Sequence, residues 1–310
     1  MANLLNNPSC GSTGGATGKP SCAVDPKIIV GLILTSTSKE FSAVDLADFQ
    51  VSLGSATTAD KSDRISPVFR FVEFKDSSEN ATIQTLGYGA KSVVKEGKYD
   101  WTFRFQKGAM CLLKNLRKFN GADLKVLFVD EENVIYGVKT DSGGLKGFAT
   151  DFVYTQPFKL TDGSKDNEYM IQVVQSKPEE WDNFGAYYAG FDVEETVRGL
   201  IELQLVETSV SSGYAIVEVD TACDMANVYS TFGADLADKS LWKVTKVSDG
   251  SDVAITSVAI NAATSGYKIT FTGTGAHLIE LQSPKVLALA GIGGAPSNGF
   301  LTTQLSVTMP

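Results

Sequence analysis

The sequence predicts a mainly β, α+β protein in two domains, and three observations predict it. Short apolar runs separated by Gly, Ser and Thr recur along the chain, the pattern of many strands joined by tight turns. One segment, residues 108–120 (GAMCLLKNLRKFN), carries the three- and four-residue apolar spacing of an amphipathic helix through Ala109, Leu112, Leu113, Leu116 and Phe119. Beyond residue 200 the runs are short and no long helical pattern returns. With 310 residues and 43% hydrophobic content, the chain has material for about two ordinary domains, each with its own core.

Residues 1–26 are rich in Asn, Gly, Ser and Thr and contain Pro8, Pro20 and Pro26. They read as an extended arm that is either loose or laid on a neighbour. Residues 27–35 (KIIVGLILT) read as a buried strand, and 40–53 as a short helix or a loop. Residues 67–75 form a strand-like run carrying Phe69, Phe71 and Phe74, and 83–94 a weaker one broken by Gly87 and Gly89. Residues 99–105 alternate Tyr99, Trp101, Phe103 and Phe105 with polar residues, the mark of a half-buried strand. The long polar stretches 55–66 and 75–85 have the length of loops that are functional or ordered by partners.

The helix at 108–120 ends at Asn120-Gly121, with Lys114, Arg117 and Lys118 near its C-terminus, where the helix dipole favours cations. A hairpin follows over 124–138, turning at Asp130-Glu131-Glu132-Asn133, whose acids read as solvated turn charges. Strands at 148–160 and 168–175 complete a sheet-rich domain over 27–176. Residues 177–199 mix acids with Trp181, Phe184, Tyr187, Tyr188 and Phe191, a connector packed against something. Short strands at 200–208, 213–220, 241–247, 253–260, 267–273, 277–282 and 300–309, with a helical turn at 284–292, fit an immunoglobulin-like β-sandwich over 200–310. That sandwich lacks an inter-sheet cysteine pair.

Charge and motif content narrow the function. A net charge of -9 and a pI near 4.8 oppose a groove that holds nucleic acid by neutralising phosphates. No apolar run reaches the roughly 18 residues that span a bilayer, and the N-terminus has no basic start or apolar signal core, so cytoplasmic synthesis and residence are expected. Of Cys10, Cys22, Cys111 and Cys223, only the first two are near neighbours, and no His or Cys pair accompanies them. Free thiols are therefore expected ahead of an occasional disulfide or a metal site. His277 is the single histidine and reads as a strand residue at a sheet end. No nucleophile motif, GxGxxG or P-loop is present, and Gly18-Lys19-Pro20 has proline where a P-loop needs Ser or Thr. Neither an enzyme, a cofactor nor a metal is expected.

The order of elements, an arm, a sheet-rich domain with one amphipathic helix (GAMCLLKNLRKF) and long polar loops, then a sandwich, resembles the major tail tube proteins of tailed bacteriophages. The stretch YDWTFRFQKGAMCLLKNLRKFNGADLKVLFVD is similar to virion proteins of phages infecting Bacteroidetes. The resemblance implies a tail-tube-like β-sandwich or barrel domain whose sheets join between subunits into rings, usually hexameric, stacked as a hollow tube. It implies a virion protein assembled in the host cytoplasm, touching other virion proteins and passing DNA without specific binding, with no membrane partner. On the resemblance, Asp60, Lys61, Asp63, Arg64, Asp76 and Glu79 belong to contacts between subunits or rings. Cys10 and Cys22 would lie on a neighbour, and Trp181, Phe184, Tyr187 and Tyr188 would seat the outer sandwich. Phe69, Phe71 and Trp101 read as core. The alternatives are a head decoration, a connector, a surface-layer or adhesive protein, and, behind these, a glycan-active enzyme with an accessory sandwich.

Overall fold

The computed structural model describes residues 26–59, 62–105, 110–164, 166–223, 225–282 and 300–310. Most of the expected arm and the expected helical turn at 284–292 lie outside the described residues. The chain divides into two compact units, Met1–Val197 and Arg198–Pro310. Both are mainly β, as the sequence predicts.

The first unit runs β1 (Ile29–Ser36), β2 (Glu40–Phe41), α1 (Ala43–Ala47), α2 (Phe49–Thr57), β3 (Ser66–Phe69), β4 (Phe71–Asp76), β5 (Thr82–Thr85), β6 (Lys91–Lys95), β7 (Asp100–Phe105) and α3 (Met110–Leu116). It continues with β8 (Leu124–Asp130), β9 (Val134–Lys139), β10 (Leu145–Lys146), β11 (Phe148–Thr155), β12 (Met170–Gln175), β13 (Phe184–Tyr188) and α4 (Val193–Thr196). β1, β8 and β9 are the centre of the unit because their apolar residues do not alternate with polar ones. Leu32, Leu34, Val126, Phe128 and Tyr136 face one core, while Ile33, Leu127, Val129 and Ile135 face another. A strand buried on both faces reads as an unbroken apolar run, which is why residues 27–35 were legible.

The second of those faces is covered by α1, α2 and α4 through Leu46, Phe49, Leu53, Ala56 and Val193. Residues 40–53, open in the sequence between a short helix and a loop, include helices at Ala43–Ala47 and from Phe49 onward. α1 starts at a capping box: Ser42 Oγ accepts from Asp45 N at 3.2 Å, and Asp45 Oδ2 accepts from Ser42 N at 2.8 Å. The stripe is interrupted at Asp48, whose φ of -131° breaks the helix in two. The main helix expected at 108–120 is α3, followed by a 3-10 turn over Arg117–Phe119. Its Leu113 and Leu116 are buried in the same core as Phe71, Phe103 and Phe105.

The other core face is closed by a four-stranded layer in the order β11-β12-β7-β4. β11 is the corner. It pairs with β8 through Phe148 and Ala149, shifts register after Thr150, and pairs with β12 through Phe152–Thr155. Gly147 permits the approach to that corner, since a Cβ there would lie 2.7 Å from Val126 N. The run expected as one strand at 67–75 also switches layers. It breaks at Arg70, a non-glycine at φ 69°, with β3 on β1 and β4 on β7. The Arg70 side chain is tied to Glu194 of α4 at 2.7 Å.

The turn acids do not all behave as expected. Asp130 is 1% exposed. Its carboxylate accepts from Glu132 N and Val134 N at 2.9 Å and from the Tyr136 hydroxyl at 2.8 Å. Burial, and then this hydrogen bond, push the Tyr136 phenol well above its ordinary range. The reading of Asp130 as a solvated charge is corrected, because its neighbours' backbone donors would otherwise be buried without acceptors. Glu131 and Glu132 are exposed.

The second unit is a two-sheet sandwich of β14 (Ile201–Ser211), β15 (Tyr214–Thr221), α5 (Tyr229–Phe232), β16 (Trp242–Lys246), β17 (Asp252–Val253), β18 (Ile255–Asn261), β19 (Gly266–Phe271), β20 (Gly275–Leu281), β21 (Phe300–Thr302) and β22 (Leu305–Met309). One sheet has the order β18-β19-β15-β14-β21 and the other β17-β16-β20-β22. Their inward residues share one core, with Trp242, Tyr267 and Phe271 its largest buried side chains. Trp242 Nε1 donates to Leu236 O at 2.7 Å, so the indole is buried with its polar atom satisfied. His277 lies on β20, fully buried, with Nδ1 2.9 Å from Gly275 O and its ring against Phe271. It is a core residue.

Candidate assembly surface

The most exposed element of the first unit is a ribbon that leaves the four-stranded layer between β4 and β7. Its base is joined by Ser77 N to Asp100 O at 2.8 Å and Glu79 N to Lys98 O at 2.9 Å. Gly97 makes the crossing possible, because a Cβ there would lie 2.1 Å from Glu79 O. Beyond it β5 and β6 pair, with Ile83 opposite Val93 and Gln84 opposite Ser92. Every residue from Thr82 to Glu96 is exposed. At the tip Tyr88 takes a left-handed backbone at φ 63° and is completely solvent-exposed. Ile83, Leu86, Val93 and Val94 are each about half exposed or more.

An isolated two-stranded hairpin is at best marginally stable in water, and the apolar side chains of this one are left uncovered. The ribbon carries Lys91, Lys95 and Lys98 against Asp76, Glu79 and Glu96, a balance of charge on a chain of net charge -9. Lys95 sits 2.9 Å from Glu79 and holds that carboxyl below its usual range. Lys98 pairs with Asp151 of β11.

Among the described residues, two strands of the four-stranded layer have no neighbour on their outer side. One is β4, with Val72 and Phe74 exposed between Glu73, Lys75 and Asp76. The other is β11 beyond Ala149, where Phe152 and Tyr154 are more than a third exposed. This second edge is closed at Thr155, whose N–H donates to Asn120 Oδ1 at 2.8 Å. The layer's outward face carries polar side chains beside Phe152 and Tyr154. Gln172 donates to the Asp100 carboxylate at 2.7 Å, and Arg104 Nε lies 2.8 Å from Glu73 Oε2 as an ion pair.

The residues expected at interfaces fall in several places. Cys10, Cys22, Asp60 and Lys61 lie outside the described residues. Asp63 is exposed, and Arg64 turns back to Ala59 O at 3.1 Å. Asp76 and Glu79 are on the ribbon's base. Trp181 stacks on Phe148 with centroids 4.4 Å apart and donates to Gln175 Oε1 at 2.7 Å. Phe184 packs on the same core, and Tyr187 meets the ring of Phe49 at 4.6 Å. These three aromatics therefore complete cores of the first unit, and among the four expected to seat the sandwich only Tyr188 is exposed, at 40%. Tyr88 and its apolar companions were missed. The available signal was an apolar Leu-Gly-Tyr-Gly turn in an otherwise polar stretch.

The cysteines require a correction. Among the described residues none is free, and Cys111 and Cys223 are both disulfide-bonded. Pairing depends on distance in the fold, which spacing in sequence does not report. Thiol titration of the full chain in denaturant without reductant is expected to find two or fewer of the four cysteines reactive. Three or four would contradict the disulfides.

No group of three His, Cys, Asp or Glu is placed to hold a metal among the described residues. A shallow pocket of about 270 Å³ in the second unit, lined by Lys239, Ser240, Lys243, Asp252 and Gln282, holds a single carboxylate, already 3.2 Å from Lys243. No helix among the described residues is long and apolar enough to cross a membrane. No family model and no curated protein matches the chain.

Proposed function

We propose that the protein is a structural subunit that joins head to tail into stacked rings, the tail tube of a tailed phage through which DNA passes. The observation that carries this reading is the four-stranded layer with a bare edge at β4 and another at β11. Its strands are antiparallel throughout. Because their number is even, a copy rotated about the ring axis brings its β11 antiparallel to β4 of the copy before it. Repetition of that contact closes a barrel and removes both edges.

The ribbon supports a second contact, between rings. Covering the exposed halves of Ile83, Leu86 and Val93 would contribute about 1 kcal/mol each, with Tyr88 adding its ring, enough for a contact repeated around a ring. The layer's outward face would line the lumen. There Arg104 is paired with Glu73, which lowers the free positive charge that would hold DNA by counterion release.

Negative-stain microscopy of the purified full chain tests the proposal. Rings or hollow filaments are expected, and a protein that stays monomeric at high concentration would overturn it. Replacing Ile83, Leu86, Tyr88 and Val93 together by Ser is expected to abolish filaments while leaving the unfolding free energy within about 2 kcal/mol of wild type, since none is buried. Unchanged filaments would remove the ribbon from the contact.

A surface-layer or adhesive subunit is the second reading, favoured by one observation. Disulfides such as those of Cys111 and Cys223 persist in oxidising surroundings, cell surfaces among them. Flat lattices in place of tubes would select it.

A further inference from the structure

We infer that Cys111 of α3 ties the N-terminal arm to its own first unit through a disulfide with Cys22, a covalent and redox-sensitive tether. The inference does not rest on the tube reading, whose resemblance would place Cys22 on a neighbour.

Cys111 is disulfide-bonded, and the chain has four cysteines, so within one chain its partner is Cys10, Cys22 or Cys223. Cys111 is in the first turn of α3 and half-buried, whereas Leu113 and Leu116 on the same helix are buried in the core. The helix thus presents this position at the rim of the core.

The place where the arm joins the unit is close to the place where α3 begins. β1 starts at Ile29, which packs on the same core as Leu113, and Arg70 N donates to Val30 O at 3.1 Å. The next residue, Phe71, is opposite Phe105, with ring centroids 5.1 Å apart, and Phe105 ends β7, the strand that leads into α3. At about 3.4 Å for each extended residue, the chain from Cys22 to Val30 spans up to about 27 Å, and that from Phe105 to Cys111 no more than about 20 Å. Cys22 can therefore reach Cys111.

Two considerations separate the three cysteines. Cys22 closes a shorter loop than Cys10, at a lower cost in chain entropy. Cys223 belongs to the other compact unit, while Cys22 and Cys111 belong to one. The bond forms by exchange with a disulfide of the surroundings, that of a small molecule or of an oxidoreductase. The two cysteine thiols give up two protons and two electrons as their sulfurs join, and the oxidant is reduced to two thiols. In reducing surroundings the same exchange runs backwards, and the arm is then held by the backbone alone.

Peptide mapping of the full chain without reductant tests the inference. Free thiols are alkylated in denaturant, and cleavage after lysine places Cys10 in residues 1–19, Cys22 in 20–27, Cys111 in 108–114 and Cys223 in 178–239. A species joining 20–27 to 108–114, which separates on reduction, is expected, and the unreduced chain in denaturant is expected at the mass of one copy. Cys111 joined to 1–19 or to 178–239, alkylated as a free thiol, or carried in a covalent dimer would overturn the inference. Cys22→Ser and Cys111→Ser are each expected to lower the thermal midpoint of the first unit by about 5–15 °C, and the double variant no further, since one long loop is released in every case. Losses that add would show that the two cysteines act separately. Because the mapping readout is covalent, it holds whether or not the chain builds tubes.

Discussion

A chain carrying Leu113→Asp is expected not to fold its first unit. Leu113 is fully buried on α3, in a core with Phe71, Phe103 and Phe105. A carboxylate there would lie among apolar side chains, and the cost of burying it unpaired or protonated is several kcal/mol, comparable with the whole stability of an ordinary domain. Leu116→Asp, at 3% exposure, is expected to act in the same way. Circular dichroism and solubility of the expressed chain are the measurements. Leu113→Met keeps volume and polarity and is expected to cost less than about 1.5 kcal/mol, which separates packing from any general intolerance of the helix. A soluble, folded Leu113→Asp monomer would show that α3 is not part of that core.

Asp130→Ala is the second large effect. Removing the carboxylate strands Glu132 N, Val134 N and the Tyr136 hydroxyl in a site that is 1% exposed. At about 1–3 kcal/mol for each of the two buried groups, Val134 N and the Tyr136 hydroxyl, a loss of about 2–6 kcal/mol is expected in denaturant unfolding. Tyr136→Phe, which removes only one of these bonds, is expected to cost about 1–2 kcal/mol. The two losses should not add in the double variant, because they share the 2.8 Å bond between Asp130 and Tyr136. Additive losses would mean that Asp130 stabilises the turn through its backbone donors alone.

How much of this was legible in the sequence depended on whether an element's surroundings are written in its own residues. Residues 99–105 see core on one side and polar surroundings on the other, so they alternate, and β7 was found with its facing correct. β1 sees apolar residues on both sides and reads as a continuous run, whereas β8, equally buried on both faces, reads in sequence as an alternating hairpin strand. The stripe of α1 and α2 was obscured because Leu46, Phe49, Leu53 and Ala56 belong to two short helices broken at Asp48. Asp130 looked like any turn acid, since its burial comes from the fold around it. Trp181 announced that it packs on something, but the partner, Phe148, lies far back in the chain. The bare edges at β4, β11 and β18 are properties of strand order, which no single segment encodes.

The corner at β11 has a thermodynamic consequence. Phe148, paired with Val126 in the doubly buried sheet, and Phe152 and Tyr154, on the open edge, belong to one strand. Global unfolding therefore takes the edge away along with the core, and any strand that binds this edge binds the native state alone. By mass action the stability of the first unit should rise with the concentration of whatever pairs there, by RT ln(1 + [L]/Kd). A folding measurement on the dilute chain would then report the fold at its least stable, and assembly would strengthen each subunit as well as join it to the next.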